Sequence, residues 1–321
     1  MKRGRRRFLK STLVTCGVAA GCSSLWLGAS QRGPARLLRQ LLADSRRALV
    51  PAPARPQPAR WSDNRITLGW LGHATLLINF YGIRILTDPV FSARVGINAG
   101  ICTLGPKRYV APALRLAELP PVDVVLLSHA HYDHMDVPSL KRLGAPAFGV
   151  TSRATTDVLK GTRLRPIIEL GWDEKTTFRG AHGTLEIQAF EVKHWGQRWP
   201  SEVARGYNGY VLRREGKAML FGGDTAFTPA FGELRAGGPY EVAIMPIGGY
   251  NPWIRNHCTP EQALAMANAA GARYVAPIHQ QTFRLSDEPF AEPGERLAQA
   301  LAHEPEWLAL RGIGEVFVCL V

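Results

Sequence analysis

Leu126 to Asp136 reads LLSHAHYDHMD, which sets three histidines and two aspartates within positions 129–136 of a chain that has nine histidines in 321 residues. Imidazoles and carboxylates are costly to bury unless each finds a partner, and a metal ion can satisfy several at once. Three further donors stand alone in later stretches: His194 in KHWGQR, Asp224 in GGDTAF and His279 in PIHQQTF. A catalytic zinc takes three protein ligands and keeps a position for water, so His129, His131, Asp133, His134, His194, Asp224 and His279 are too many for one ion. Two Zn²⁺, each with three private ligands and one shared carboxylate, account for all seven. Residues 129, 131 and 133 are expected to share one side of an extended segment while His134 turns away, so that one loop serves both ions. Asp224, short and set between glycine and threonine, suits the bridge. Such a pair of ions lowers the pKa of a water and stabilises both attacking and departing oxygens, which is hydrolase chemistry.

The elements that must position these donors can be read from hydrophobic patterning. ITLGW (66–70), ATLLINF (74–80) and IRILTD (83–88) read as strands, the last two joined by a Tyr81-Gly82 hairpin. VDVVLLS (122–128) is a continuous β-branched run, as expected of a strand buried on both faces, and the first motif begins where it ends. VPSLKRLG (137–144) and TTDVLKG (155–161) read as short helices. LEIQAFEV (185–192), GYVLRREGKAMLFGG (209–223), EVAIMPIG (241–248), ARYVAPIH (272–279) and GEVFVCL (314–320) read as strands, and TPEQALAMANAAG (259–271) as a helix capped by Thr259. Strands and helices alternate in blocks, which predicts an α/β protein with two sheets sandwiched between helices. The donors fall at or just after strand ends, where open sheets build their sites. The Gly222-Gly223 pair carries no following Lys-Ser/Thr and so is no phosphate loop; it is expected to let the backbone approach the metals.

His-x-His-x-Asp-His followed by a distant His, Asp and His resembles the metallo-β-lactamase superfamily, whose fold is an αββα sandwich. WLGHATLLI, LTDPVFS, GPKRY, ELPPVDVVLLSHAHYDHMD, KHWGQR, GGDTAF, PIGGY and HCTPEQA are similar to the N-acyl-phosphatidylethanolamine-hydrolysing phospholipase D branch and its bacterial relatives, over nearly everything from Trp61 onward. The resemblance implies that His129, His131 and His194 hold one zinc, that Asp133, His134 and His279 hold the other, and that Asp224 bridges. It also implies that His73 and Asp88 are not ligands but orient the metal-binding loop. Asp133 would hold and orient the nucleophile, and Tyr132 and His257 are candidates for binding substrate or protonating the leaving group. His134 favours the phosphodiesterase and the thiolester or lactone-hydrolase branches over true β-lactamases. The implied substrate is an N-acyl-phosphatidylethanolamine-like lipid, with a lactone of the ascorbate-phosphate lactonase type as the alternative. Gln280-Gln281 stands where the mammalian phospholipase has Trp-Gly. Diiron oxidoreductases of this fold are disfavoured, since they place Glu at the position of His131.

The formal net charge of +13 is concentrated at one end. Residues 1–60 hold 13 of the 39 Lys/Arg and only Asp44 of the 26 Asp/Glu, leaving 26 against 25 for the remainder. A near-neutral body excludes nucleic acid as the expected partner. Arg5-Arg6-Arg7-Phe8-Leu9-Lys10 resembles a twin-arginine export signal, so residues 1–30 read as a signal or membrane anchor. Cys22 after Ala-Ala-Gly reads as a lipidation site, or else Ser11–Ala29 stays uncleaved as a short span. Either ending predicts an exported, periplasmic protein tethered to the inner membrane. Residues 31–60 read as a basic amphipathic helix, able to lie on a membrane or to serve as a solvated linker, followed by a stiff Pro-rich spacer. The hydrolase domain is expected over 61–321. Cys102, Cys258 and Cys319 make no complete disulfide framework.

Overall fold

Tyr81 and Gly82, with φ of 51° and 88°, close the tight turn between the second and third strands, as the Tyr-Gly pair predicts. They belong to a computed structural model of the chain that describes residues 43–319, apart from 45, 99, 101, 102 and 199–202. The signal, Cys22, most of the amphipathic helix and Cys102 lie outside the described residues. Leu49–Arg198 and Val203–Val321 form one compact unit.

The unit is built on two mixed sheets. The first contains β1 (Ile66–Gly72), β2 (Thr75–Phe80) and β3 (Ile83–Thr87), and a short β4–β5 hairpin (Ile97–Asn98, Thr103–Leu104) stands apart from it. β6 (Val124–Leu126), β7 (Ala147–Ser152), β8 (Leu164–Leu170) and the late β15 (Val316–Val318) complete the order β15-β1-β2-β3-β6-β7-β8. The second holds β9 (Lys175–Gly180), β10 (Gly183–Phe190), β11 (Gly209–Arg214), β12 (Lys217–Phe221), β13 (Tyr240–Pro246) and β14 (Ala272–Ile278), ordered β14-β13-β12-β11-β10-β9. Pairing is antiparallel from β15 to β3 and from β9 to β12, and parallel in β3-β6-β7-β8 and β12-β13-β14.

Period-two alternation places one core on each face of the second sheet. Tyr210, Leu212, Met219, Phe221, Val242 and Ile244 pack with Trp70, Leu77 and Leu126 of the first sheet, forming the layer between the sheets. The alternate residues Val211, Leu220, Ala243 and Met245 pack with Phe231, Ala263, Met266 and Leu297, which come from helices on the outer side. These helices are α2 (Ala230–Glu233), α3 (Pro260–Ala270) and α4 (Glu292–Ala300), while the short α1 (Val137–Lys141) follows β6. Two facing sheets with helical cover are the expected αββα arrangement.

Two local expectations change. Residues 155–161 form turns and no regular helix, because the Glu169 carboxylate accepts the N–H groups of Ala154, Thr155 and Thr156 and closes the backbone into successive i+3 turns. The unit begins at Leu49, ahead of the Trp61 start expected from composition. The Pro-rich segment lies on the unit as a strap: Val50 pairs with Val110, Ala54 N–H bonds to Ile313 O, and Pro56 and Pro58 are buried.

Candidate metal centre

Co-directional strands deliver the donors to one end of the sandwich. His73 follows β1, Asp88 follows β3, and Ser128 to His134 follow β6. On the second sheet His194 follows β10, Asp224 follows β12, His257 lies between β13 and α3, and His279 follows β14. His73, Asp88 and His279 have φ of 52°, 32° and 62°, left-handed conformations that non-glycine residues rarely adopt and that cluster at functional sites. The core holds these turns in place: the Trp70 indole donates to His73 O at 2.8 Å, and His73 N–H donates to Thr282 Oγ1 at 2.6 Å.

All seven donors meet. His129 Nε2 stands 2.8 Å and His194 Nε2 3.3 Å from His131 Nδ1. Two nitrogens each bound to one tetrahedral zinc stand roughly 3.3 Å apart, so this trio has the spacing of a ligand set. Beside it, His279 Nε2 is 3.5 Å and His134 Nε2 3.6 Å from Asp133 Oδ2, which also meets His73 Nε2 at 2.9 Å. Asp224 Oδ2 lies between the groups, 3.1 Å from both His134 and His279 Nε2, 3.7 Å from His194 Nε2 and 3.9 Å from His257 Nδ1. Donor atoms of His129-His131-His194, of His73-Asp133-His134-His279, of His129-His134-Asp224 and of His194-Asp224-His257 each lie within 4.8 Å of one another, close enough to hold a metal ion. His134 Nε2, His279 Nε2 and Asp224 Oδ1 are buried without a hydrogen-bond partner, as ligand atoms awaiting a cation would be.

The pairing of donors within the first motif differs from the expected alternation. Met135 N–H and His134 N–H both bond to His131 O, so the chain turns after His131 and swings Asp133 to the side of His134, away from residues 129 and 131. A Cβ at Gly223 would come 2.6 Å from Ser128 Cβ, and one at Gly248 2.4 Å from His279 O. The two glycines let one site loop press on another.

The far nitrogens of three rings are tied down, which fixes tautomer and orientation, whereas His131 Nε2 and His279 Nδ1 are buried without a hydrogen-bond partner. His134 Nδ1 is 2.7 Å from Asp88 Oδ2, and His194 Nδ1 is 2.8 Å from Asn256 O. His129 Nδ1 is 2.9 Å from Ser128 Oγ, which donates to Asp88 Oδ2 at 2.6 Å. Asp88 thereby orients rings from both groups. Ser128 and Asn256 were not among the sequence candidates, although each immediately precedes one of them. Trp195 was missed too; its ring covers His131 and His194 at 4.5 and 4.3 Å between centroids. His257 is buried beside the cluster, its ring 5.0 Å from that of His194. Tyr132 is half-buried, with the Arg198 guanidinium 3.9 Å over its ring; Arg198 also donates to Ala130 O and Met135 O, the two ends of the motif loop. His182 and His303 stay exposed elsewhere.

Burial pushes His73, His131, His194 and His257 down to about 3, and His129 well below its ordinary value, so these rings offer lone pairs at neutral pH. Burial opposes ionisation of Asp133 and Asp224, but the facing His134 and its neighbours outweigh it and hold both carboxyls well below the usual range. Burial likewise opposes charge on His134 and His279. Asp224 leads the carboxylates that overcome it, keeping His134 well above its usual value and His279 up at about 9. Ionised carboxylates and inward lone pairs are the donor chemistry of a divalent-metal site.

Residues 83–280 match the family model described as a β-lactamase superfamily domain. An uncharacterised protein of Mycobacterium tuberculosis is 33% identical over 273 residues, spanning 81% of this chain and 70% of its own length. N-acyl-phosphatidylethanolamine-hydrolyzing phospholipase D 1 of Caenorhabditis elegans is 30% identical over 257 residues, 75% of this chain and 71% of that one. The mitochondrial enzyme of the same name from Saccharomyces cerevisiae is 31% identical over 238 residues, 71% of this chain and 50% of that one. Among solved structures, the metallo hydrolase Igni18 of Ignicoccus hospitalis matches with a TM-score of 0.58 at 20% identity, over 80% of this chain and 99% of its own. An isothiocyanate hydrolase from Delia radicum gut bacteria matches with a TM-score of 0.61 at 17% identity, over 78% and 98%. These two likenesses concern the fold alone. With its matched family model and its relatives at 30% identity and above, the chain belongs to the metallo-β-lactamase superfamily as a metal-dependent hydrolase resembling the N-acyl-phosphatidylethanolamine-hydrolysing phospholipases D.

Proposed function

We propose that the protein is a binuclear zinc phosphodiesterase of the phospholipase D type, acting on N-acyl-phosphatidylethanolamine-like lipids. The observation that carries this reading is Asp224 Oδ2, placed within 3.1 to 3.9 Å of nitrogens from both histidine groups. His129, His131 and His194 would hold one ion, Asp133, His134 and His279 the other, and Asp224 both. Bound there, the ions would supply an activated water and neutralise charge building on the phosphoryl oxygens. Asp133, kept ionised and fixed by His73, orients the attacking water. His257, held neutral by burial, is suited to hydrogen-bond a substrate oxygen rather than to deliver a proton from imidazolium. Tyr132, with the Arg198 guanidinium over its ring, is the second candidate for binding substrate or protonating the leaving group. The names of the worm and yeast relatives support the lipid diester as substrate.

Steady-state rates on bis(p-nitrophenyl) phosphate, nitrocefin, a simple lactone and an N-acyl-phosphatidylethanolamine test the reading. Diester hydrolysis with little nitrocefin turnover is expected. A lactone turned over far faster than either diester would replace it with the lactonase reading. We further propose export of the folded protein by its twin-arginine segment and attachment to the inner membrane, on the strength of Arg5-Arg6 and Phe8-Leu9.

A further inference from the structure

His257 stands on the loop from β13 to α3, and three of its neighbours in that loop are held from outside it. The Glu288 carboxylate, buried on the segment between β14 and α4, accepts the Gly249 N–H at 2.6 Å through Oε1 and the Asn251 N–H at 3.1 Å through Oε2. Ser286 Oγ donates to the same Oε1 at 2.6 Å. The Asp287 N–H bonds to Asn251 O at 2.8 Å, and the Tyr250 hydroxyl donates to Glu292 Oε1 at 2.7 Å. Among the described residues no cation pairs with Glu288, so peptide N–H groups and one hydroxyl meet its carboxylate. Such charge-assisted bonds to backbone are strong and fix the chain that donates them.

The loop held in this way bears directly on the imidazole. Gly249 has φ of 89°, and a Cβ there would come 3.0 Å from His257 Nδ1 and 3.3 Å from its Cε1 and Cγ, so the bare glycine backbone lies against the ring. The rings of His194 and His279 stand 5.0 and 5.1 Å from it. His257 Nδ1 is buried without a hydrogen-bond partner, 3.9 Å from Asp224 Oδ2. No hydrogen bond fixes that nitrogen as Asp88 fixes His134 or Asn256 O fixes His194. The setting of the His257 ring therefore depends on the surfaces packed against it, and Gly249 is one of them.

We infer that Glu288 is a positioning residue for His257: by holding the N–H groups of Gly249 and Asn251 it seats the Gly249 backbone against the imidazole and keeps the ring where it meets a substrate oxygen. The inference rests on the reading of His257 as a substrate-binding group and extends it to a carboxylate that acts through the loop. A glutamine in place of Glu288 keeps the volume but has one acceptor oxygen instead of two, so its amide N–H₂ faces a backbone donor and Gly249 or Asn251 loses its acceptor. The loop then shifts, and the ring loses the surface that sets it.

The test uses the full-length, zinc-loaded protein with histidine rings labelled for nuclear magnetic resonance. The His257 signal, identified by its loss in His257→Ala, should shift or broaden in Glu288→Gln while those of His182 and His303, exposed elsewhere, stay in place. Gly249→Ala, which presses a methyl group on the ring, should move the same signal directly. On bis(p-nitrophenyl) phosphate, Glu288→Gln should lower kcat/KM by about tenfold with zinc content unchanged. In the His257→Ala background the same change should cost less than about twofold, because the group it positions is gone. An unmoved His257 signal in Glu288→Gln would overturn the inference. So would an equal loss of kcat/KM in both backgrounds, the mark of a general structural role, or zinc lost from Glu288→Gln, which would assign the carboxylate to the metal centre as a whole. Wild-type protein that leaves the diester intact would remove the phosphodiesterase reading, and the His257 signal would then decide the positioning by itself.

Discussion

Asp224 Oδ2 approaches four histidine nitrogens drawn from both halves of the cluster, so its loss should have a larger effect than the loss of any one imidazole. Asp224→Ala should reduce bound zinc from close to two ions per chain to below one, while His134→Ala should remove about one ion and spare the His129-His131-His194 group. Elemental analysis of folded, zinc-equilibrated protein checks this; two ions retained in Asp224→Ala would rule out a shared ligand. The seven donors were legible in sequence because each sits at the end of an apolar run, where a bare imidazole or carboxylate has no packing role. Their second contacts were not legible. Asn256 binds His194 through its backbone carbonyl, which any residue possesses, and Ser128 joins Asp88 to His129 only once β3 and β6 lie side by side. The grouping of Asp133 with His134 depended on a turn at His131 that alternation cannot foresee.

At the scale of elements, strong signals translated directly into structure. Thr259 caps α3 as read, accepting from Gln262 N–H, with Gly271 in the left-handed conformation at the other end. The helix therefore starts at a fixed point, and His257 lies two residues before its cap, Thr259. β7, β8 and β9 went unread because AFGVTS and KTTFRG lack an apolar stripe and LRPIIEL is interrupted by Pro166. α4 was hidden by the Pro293-Gly294 pair at its start, which reads as a turn when seen without its neighbours. The strap of residues 49–60 was read as a spacer from its prolines, although those prolines lie on the sandwich. Gly314, at φ 93°, lets it do so, since a Cβ there would fall 1.8 Å from Ala54 O. Gly314→Ala must displace the strap and should cost about 2 kcal/mol, lowering the melting temperature by about 4–8 °C. Gly312→Ala is the control: its nearest atom is 3.7 Å away, so melting should shift little. Equal melting temperatures for the two variants would show that the strap contributes nothing to the unit.

For the molecule as a whole, the proposed lipid substrate requires that a near-neutral body be brought to a membrane surface. No helix among the described residues is long and apolar enough to cross a membrane. The proposed attachment rests on the sequence of residues 1–48, where 11 Lys/Arg face one acidic residue and Leu37, Leu38, Leu41 and Leu42 share a helical face in the sequence pattern. If Arg5-Arg6 is read as an address and not as charge, changing both to lysine should retain the protein in the cytoplasm; undiminished appearance of that variant outside the inner membrane would point to a plain anchor. The strap fixes where a truncation must be made. Removing residues 1–60 would strip Val50, Pro56 and Pro58 from the folded unit and confound attachment with stability, whereas removing 1–48 leaves the unit intact. The 49–321 chain should hydrolyse bis(p-nitrophenyl) phosphate as fast as the full-length protein, because every donor of the metal centre lies within it. On vesicles containing anionic lipid and an N-acyl-phosphatidylethanolamine it should be slower by about tenfold or more, since each basic residue near such a surface contributes about 1 kcal/mol of attraction and the leucine face adds buried apolar area. The deficit should shrink when anionic lipid is left out of the vesicles, because the full-length chain then loses its electrostatic advantage while the truncated one has none to lose. Equal vesicle rates for the two chains at every lipid composition would remove the N-terminal segment from the account of lipid access and leave that task to the mouth of the metal centre.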